Sequence, residues 1–170
     1  MLVNLPVRER AFRAVVEALE EIQKVNGYNF DVRHVLRKRT IPERAQDPPE
    51  IHLLVGPTVV KEGRNNMQNY EEATAYLWFM IKDTGNDLED VWYTLFVNDM
   101  LKCIGDYQVV DTSGPKDRIV DIYLREHLPR YADTRTGLIV GRLEIGIGYC
   151  YLKGRPDLWD SDDTAVTVEV

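Results

Sequence analysis

Near the end of the chain, between Leu138 and Lys153, apolar side chains alternate with other side chains almost without a break. A period of two residues predicts a β-strand. At about 3.3 Å per residue this strand would span roughly 50 Å, which is longer than most strands. Gly146 and Gly148 remove side chains from one face, which indicates a close approach by another element or a bend. Two interpretations stay open: a bent central strand beneath a helix, or a strand that extends beyond its own domain towards a neighbouring subunit.

Two amphipathic helices are predicted from positions that recur at helical spacing. The first runs from an N-cap at Asn4 to a stop at Gly27, and its apolar stripe faces a flat partner. The second runs from an N-cap at Asp87 to Gly105. Its predicted apolar side consists of Leu88, Val91, Trp92, Leu95, Phe96 and Ile104.

Four further segments have strand patterns. They are residues 29–39, 51–55, 71–82 and 118–124, of which the first two are expected to form a hairpin and the third is apolar on both faces. Residues 57–69 are polar without a period and predict a long loop, and the chain after 124 reads as irregular through Pro129. The fold class is therefore α+β, with a mainly antiparallel twisted sheet of four to five strands packed by two helices. A single domain of residues 1–155 is expected, followed by an acidic C-terminal tail of residues 156–170.

Charge is divided unevenly along the chain. Residues 1–45 contain nine Lys/Arg and six Asp/Glu, whereas the other 125 residues contain twelve and twenty-two, within a net charge of −7. A mostly acidic domain is a poor general binder of nucleic acid, because phosphate contacts dominate that affinity. Unlike charges at two ends of a chain suit head-to-tail contacts between protein faces. No segment has the apolar length of a signal peptide or a bilayer span, so synthesis in a cytoplasm is expected.

The sequence contains no motif that indicates catalysis or a cofactor. It has no phosphate-binding glycine loop, no nucleophile elbow and no Cys/His set at metal-ligand spacing. Cys103 and Cys150 are expected to be free thiols, and His34, His52 and His127 share no ligand spacing. We therefore expect no enzyme activity, no cofactor and no metal. One alternative stays open, a small pocket enzyme or ligand-binding protein that uses His34 or His52 with a buried carboxylate.

The candidate functional residues are accordingly those of an interface with other subunits or partners. They combine basic side chains in the first strand and the polar loop, a tryptophan on the doubly apolar strand, and the two glycines of the last strand. The set is Arg33, Arg37, Lys38, Arg39, Lys61, Arg64, Trp78, Gly146 and Gly148. Tryptophan and arginine are enriched where subunits meet.

The order of these elements resembles the tail-terminator (tail-completion) proteins of long-tailed bacteriophages. The resemblance covers roughly residues 1–156. The segments that carry it are Leu5-Pro6-Val7-Arg8-Glu9-Arg10 at the first helix, Pro48-Pro49-Glu50-Ile51 before the second strand, and the alternating strand Leu143 to Tyr151 followed by Lys153-Gly154-Arg155-Pro156. It implies a ring, usually hexameric, that stops tail-tube polymerisation at the head-proximal end of the tail.

The resemblance also implies partners and a location. The partners are further copies of the chain, a tail-tube protein and a head-connector or head-completion protein, with DNA passing through the ring, no sequence-specific nucleic acid and no membrane. The location is the virion, in the tail or neck, after assembly in a host cytoplasm. An alternative of the same class is a head-completion or tube subunit of such a particle.

Overall fold

The structure is a computed structural model that describes residues 5–40, 44–62, 68–82, 89–104, 108–111, 118–133, 137–152 and 155–159. The described residues contain two α-helices, α1 (Val7–Glu20) and α2 (Glu89–Cys103), and a short 3-10 turn at Lys24–Asn26 between α1 and the first strand. The strands are β1 (His34–Lys38), β2 (Glu50–Glu62), β3 (Gln68–Lys82), β4 (Gln108–Asp111), β5 (Arg118–Asp133), β6 (Leu138–Leu152) and β7 (Arg155–Trp159).

All the strands belong to one sheet in the order β1-β2-β3-β6-β5-β4, with β7 paired to β6 beyond the end of β5. Every pair is antiparallel except β1 with β2. The predicted α+β class, with a mainly antiparallel sheet and two helices, is confirmed. In the described part of the chain the sheet has seven strands, because the short strands β4 and β7 join the five that the pattern indicated. Residues 156–159 of the segment predicted as tail lie in β7, and residues 160–170 lie outside the described residues.

The core lies between one face of the sheet and the two helices. The odd-numbered positions of β3 and β6, including Leu77, Phe79 and Leu143, are buried there with Phe12 of α1 and Phe96 of α2. Burial of each such side chain stabilises the fold by about 1.5–3 kcal/mol. The even-numbered positions form the opposite face of the sheet, here called the helix-free face. Trp78 lies on this face and is only half-buried, so β3 is covered by helices on one side.

The predicted loop at residues 57–69 is wrong in most of its length. β2 continues to Glu62 and β3 begins at Gln68, and the two strands pair as far as Glu62 with Asn69. The register shifts between Val55 and Thr58, where Gly56 and Pro57 lie. A bulge accommodates a proline that lacks a ladder N–H, so Gly-Pro bends this strand where it was expected to end it.

β5 is also longer than predicted, because pairing with a neighbouring strand again holds a proline-containing segment extended. The prediction ended this strand at Leu124, whereas the structure continues it through Pro129 to Asp133. Two register shifts, after Leu124 and after Leu128, accompany the extension. Pairing with the long strand β6 holds these residues extended despite the proline, which local pattern alone does not reveal.

The first helix and first strand also differ from the prediction. α1 ends at Glu20, and Gly27, with φ of 84°, ends the 3-10 turn that follows. Asn4 lies outside the described residues, and the N-cap is Pro6 without a side-chain hydrogen bond. β1 begins only at His34 and runs parallel to β2, so the expected hairpin is wrong and residues 39–49 connect strands that point the same way.

The second helix buries Phe96 and Ile104 as predicted, but the rest of its buried side is shifted from the predicted one. Tyr93, Phe96, Val97, Met100 and Ile104 are buried, whereas Val91 and Trp92 are 49% and 37% exposed. The helix carries apolar residues on most of its circumference, so spacing alone does not determine which stripe faces the sheet. Its predicted ends, Asp87 and Gly105, lie outside the described residues.

The long strand β6 is confirmed at Leu138–Leu152 and lies in the centre of the sheet. It pairs with β3 over all 15 residues, from Leu138 with Lys82 to Leu152 with Gln68. Its length is therefore matched by an equally long neighbour within the same domain. Within the described residues, no helix is both long enough and apolar enough to cross a bilayer.

Candidate interaction surfaces

The exposed edge of the sheet at β1 carries four of the predicted interface residues. Arg33, Arg37, Lys38 and Arg39 are all exposed, and together they are called the basic edge surface. β1 pairs with β2 on one side only, so its other side presents backbone N–H and C=O groups that have no ladder partner among the described strands. Positive charges on an edge strand discourage indiscriminate strand pairing and favour an acidic partner.

Arg37 is held in place by α1. Its guanidinium donates hydrogen bonds through both Nη atoms to the two carboxylate oxygens of Glu9, with Nη2 3.0 Å from Oε1. The same guanidinium lies 4.9 Å from the centre of the Phe12 ring. The hydrogen bond from Arg37, together with its charge, holds the pKa of Glu9 below its usual value. Lys38 and Arg39 have no acidic partner among the described residues, so their charges are available to a ligand.

A groove runs between α1 and β1 beside this edge. One part has a volume of about 510 Å³ and is lined by Glu9, Arg37, Lys38, Arg39 and Val55. The adjoining part, of about 230 Å³, has an apolar floor of Leu5, Phe12 and Val16, with Glu9, Arg13 and Arg37 at its rim. The basic edge surface therefore combines an unpaired strand, an apolar groove and free positive charge.

On the helix-free face, Gly146 and Gly148 of β6 make room for side chains of the same chain. Arg125 lies at a register shift of β5 and donates from Nη1 to Thr74 Oγ1 at 2.6 Å, while Nη2 binds Glu72. A Cβ at Gly146 would lie 3.0 Å from Arg125 Nε. A Cβ at Gly148 would lie only 2.2 Å from the Tyr70 hydroxyl. Both glycines are buried, so the close approach that their spacing predicted occurs within the subunit.

Trp78 lies on the same face beside a second arginine. The guanidinium of Arg142 is 5.9 Å from the Trp78 ring and 5.0 Å from the Tyr76 ring. Arg142 Nη2 also donates to Glu126 Oε2 at 3.3 Å. Opposite charges alternate across this face, which gives it hydrogen-bonding groups without a large excess of either sign. Trp78 is thus half-covered by Arg142 in the subunit.

The other two predicted interface residues are Lys61 and Arg64. Lys61 lies near the end of β2, opposite Tyr70 of β3, and Arg64 lies outside the described residues. Their neighbours Val59 and Val60 are 53% and 60% exposed. The structure therefore separates the predicted residues into the basic edge surface, the end of the β2–β3 hairpin and the helix-free face.

His34 and His52, which were expected in neighbouring strands, do not form a pair with each other. His52 is buried and its Nε2 lies 3.0 Å from Oε2 of the buried Glu50, whereas His34 is exposed and aligns with Glu50 in the β1–β2 register. Burial acts to raise the pKa of Glu50, but hydrogen bonds from the Asp47 N–H, His52 and the Gln46 N–H outweigh it and lower that pKa below its usual value. The apolar pocket of about 190 Å³ near this end of the sheet is lined by other residues, among them Phe30, Pro49 and Trp92.

Sequence reasoning missed two charged residues that organise the sheet. Arg125 was assigned to the irregular chain, and no periodic signal marks a residue at a bulge. Glu71 accepts hydrogen bonds from the Tyr149 and Tyr151 hydroxyls at 2.8 and 2.7 Å. Burial and the adjacent Glu71 carboxylate raise the pKa of Tyr149 above its usual value. The Tyr-x-Tyr spacing predicted both side chains on one face. That Glu71 is their common partner follows only from the pairing of β3 with β6.

Among the described residues, no group of His, Cys, Asp and Glu side chains is arranged to hold a metal ion. No family model matches the chain, and no curated protein matches it. The virion of the native gene transfer agent particle contains a chain that is similar to this one. The two share 7% identity, with a TM-score of 0.44 over 84% of this chain and 93% of that chain. A similarity of that degree does not establish a shared fold, and no function follows from it.

Proposed function

We propose that this chain is a structural subunit of a phage-like virion whose copies form a ring at the head-proximal end of the tail. The ring, a hexamer by the resemblance of its sequence to tail-terminator proteins, ends tail-tube polymerisation and joins the tail to the head connector. The observation that carries this proposal is the basic edge surface. It is an unpaired strand edge with free positive charge on a chain whose remainder is acidic.

A surface of this kind supports a contact between unlike faces of identical copies. The edge of β1 is positive, and the residues after 45 carry the excess of negative charge. Two unlike faces on one molecule make heterologous contacts, which form a closed ring when the rotation between copies closes. Electrostatic complementarity orients the copies and suppresses contacts between like faces.

The same charge distribution fits the partners that the resemblance implies. A ring whose lining is acidic lets DNA pass without binding to it, because affinity for DNA comes mainly from phosphate contacts with basic residues. The proposed partners are the tail-tube protein on one face and the head-connector or head-completion protein on the other. The subunit needs no cofactor for this work, and its place is the virion.

The test is assembly. We expect purified protein to form rings by mass photometry and negative-stain electron microscopy, and to bind the ends of tubes made by the tail-tube protein of the same particle. Added during polymerisation, it should shorten the tubes. A strict monomer at all concentrations, without binding to tube ends, would contradict the proposal.

The same experiment separates the alternatives. A tube subunit would lengthen tubes or copolymerise along them, and a head-completion protein would bind connectors without affecting tube length. Replacement of His34, His52 and His127 by Ala tests the pocket-enzyme alternative: the proposed function predicts unchanged ring formation, whereas the alternative predicts the loss of a measurable turnover.

A further inference from the structure

We propose that the basic edge surface of one copy receives residues 160–170 of a neighbouring copy as an added β-strand. This inference rests on the proposed self-assembly, and it names the contact that joins the copies. The receiving strand is β1, which pairs with Glu50–Leu54 of β2 on one side only. Addition of an extended segment to such an edge gains main-chain hydrogen bonds, and the side chains of the segment determine which edge it selects.

The charges of the two parts are complementary. Residues 160–170 contain Asp160, Asp162, Asp163 and Glu169 and no basic residue. Lys38 and Arg39, at the end of β1, have no acidic partner among the described residues. An antiparallel arrangement with Val166 opposite Arg37 turns the valines to the α1 side and places Asp162 and Asp163 next to Arg39, at this denser end of the positive charge. Asp163 and Asp162 are then the diagonal neighbours of Lys38 and Arg39, and opposite charges at neighbouring cross-strand positions stabilise the pairing, whereas like charges destabilise it.

The apolar residues of the segment fit the groove. Val166, Val168 and Val170 alternate with other residues, so in a strand they share one face. Val35 and Arg37 face α1, since Val35 is buried in the core and Arg37 lies over Phe12. A strand beside β1 that turns its valines to the same side lays them along the groove whose floor contains Leu5, Phe12 and Val16. A β-branched residue suits both the strand and this apolar floor.

Geometry favours a neighbouring copy over the same chain. Arg37 lies in the register row of Leu143, and Trp159 lies in the row of Tyr151, eight residues further along β6. That offset is about 26 Å, and the four strand spacings from β1 to β7 add about 19 Å across the sheet, so the diagonal is roughly 32 Å. Seven residues separate Trp159 from Val166 and reach at most about 25 Å. A chain therefore does not lay this segment along its own β1.

Charge exchange between full-length chains tests the contact. The edge variant carries Lys38→Glu and Arg39→Glu, and the segment variant carries Asp162→Lys and Asp163→Lys. A control with the same change in charge outside β1 carries Lys24→Glu and Arg44→Glu, both at exposed positions. We expect each of the first two variants alone to raise the concentration of half-assembly about tenfold or more, since like charges then meet across the contact. The control should assemble like the unmodified chain.

An equal mixture of the edge and segment variants is the decisive sample. Alternating copies then present opposite charges at every contact, so rings should return, with even numbers of subunits only. Circular dichroism and thermal unfolding check that each variant is folded. If the unmodified chain forms rings and both variants form them equally well, this inference is overturned while the proposed function stands. If the rings respond to charge as expected but do not bind tube ends, the proposed function fails and the contact stands.

Discussion

At the residue scale, the glycines of β6 have different physical roles. A Cβ at Gly141 would lie 2.2 Å from Phe79 Cζ and 2.7 Å from Tyr93 Cε2, both in rings of the packed core. A Cβ at Gly146 would meet only the ends of the Arg125 and Glu72 side chains, at 3.0 and 3.1 Å. Flexible side-chain ends move aside more easily than core rings do.

We therefore expect Gly141→Ala to lower the free energy of unfolding by about 1–3 kcal/mol, the usual cost of overpacking. Gly146→Ala should change it by less than about 1 kcal/mol, because Arg125 can shift. Urea denaturation of both variants measures the difference. Equal losses of stability in the two variants would contradict the difference in packing between Gly141 and Gly146.

Glu50 gives a prediction with a defined pH dependence. Its carboxylate is 1% exposed and accepts hydrogen bonds from two backbone N–H groups, so its pKa in the folded protein is lower than the usual 4.5. A group with a lowered pKa stabilises the fold above its unfolded pKa, and this stabilisation is lost as the pH falls through the folded pKa. We expect Glu50→Gln to lower the free energy of unfolding at neutral pH by about 1–3 kcal/mol.

The difference in the free energy of unfolding between Glu50→Gln and the unmodified chain should then become smaller as the pH falls below 4.5. Urea denaturation at a series of pH values measures it, and Glu17→Gln, at an exposed position, is the control. A difference that stayed constant down to the acid limit of folding would mean that the ionised carboxylate is not what stabilises this end of the sheet.

At the element scale, Asp99 joins α2 to the irregular segment before β1. Its carboxylate is 2% exposed and accepts hydrogen bonds from the Asn29 N–H, the Asn29 side-chain amide and the Phe30 N–H, at 2.7, 2.7 and 3.0 Å. We expect Asp99→Ala to lower the free energy of unfolding by about 3 kcal/mol, because buried donors then lose a charged acceptor. Asn98→Ala, one residue away and exposed, should change it by no more than about 0.5 kcal/mol.

Tryptophan fluorescence reports the same substitution locally. Phe30 packs edge-on against Trp92, with ring centroids 5.4 Å apart. Release of the Asn29–Phe30 backbone should therefore alter the Trp92 environment in the folded state. Unchanged fluorescence with unchanged stability would contradict the anchoring role of Asp99.

Elements with strong alternation were predicted from sequence, and elements interrupted by proline were not. β3 and β6 alternate strictly over long segments, so their period of two residues specifies strand and buried face together. Pro57 and Pro129 lie within strands that long neighbours hold extended at bulges. The local sequence shows the proline, but it does not show the long neighbouring strand that keeps the chain extended there. The parallel pairing of β1 with β2 depends on the path of the chain between them, which no short-range signal encodes.

Of the basic edge surface, only the positive charge was predicted from the sequence. The cluster Arg37-Lys38-Arg39 indicated an exposed basic strand, and the structure places it at an edge. The groove beside it requires α1 and β1 to lie side by side, and the Arg37–Glu9 pair requires contact between residues 28 positions apart. Such juxtapositions arise from tertiary packing, so composition and spacing do not contain them.

At the scale of the whole molecule, charge separation and exposed apolar residues suggest different kinds of subunit contact. The basic edge surface would join copies by unlike charge, whereas Val59 and Val60 at the β2–β3 hairpin would join them by apolar burial. Salt distinguishes the two, because it screens charges and does not weaken apolar contacts. The Debye length falls from about 10 Å at 0.1 M salt to about 3 Å at 1 M.

We expect ring assembly to depend on charge. Between about 0.1 M and about 1 M sodium chloride, the protein concentration at half-assembly should rise about tenfold, because the Debye length becomes shorter than the distances between charges along the contact. Light scattering over a dilution series at each salt concentration measures it. Val60→Ser is the matched control: it removes an exposed apolar side chain and should leave the salt dependence unchanged. Rings that became tighter with salt, and that weakened in Val60→Ser, would place the principal subunit contact at the β2–β3 hairpin rather than at the edge of β1.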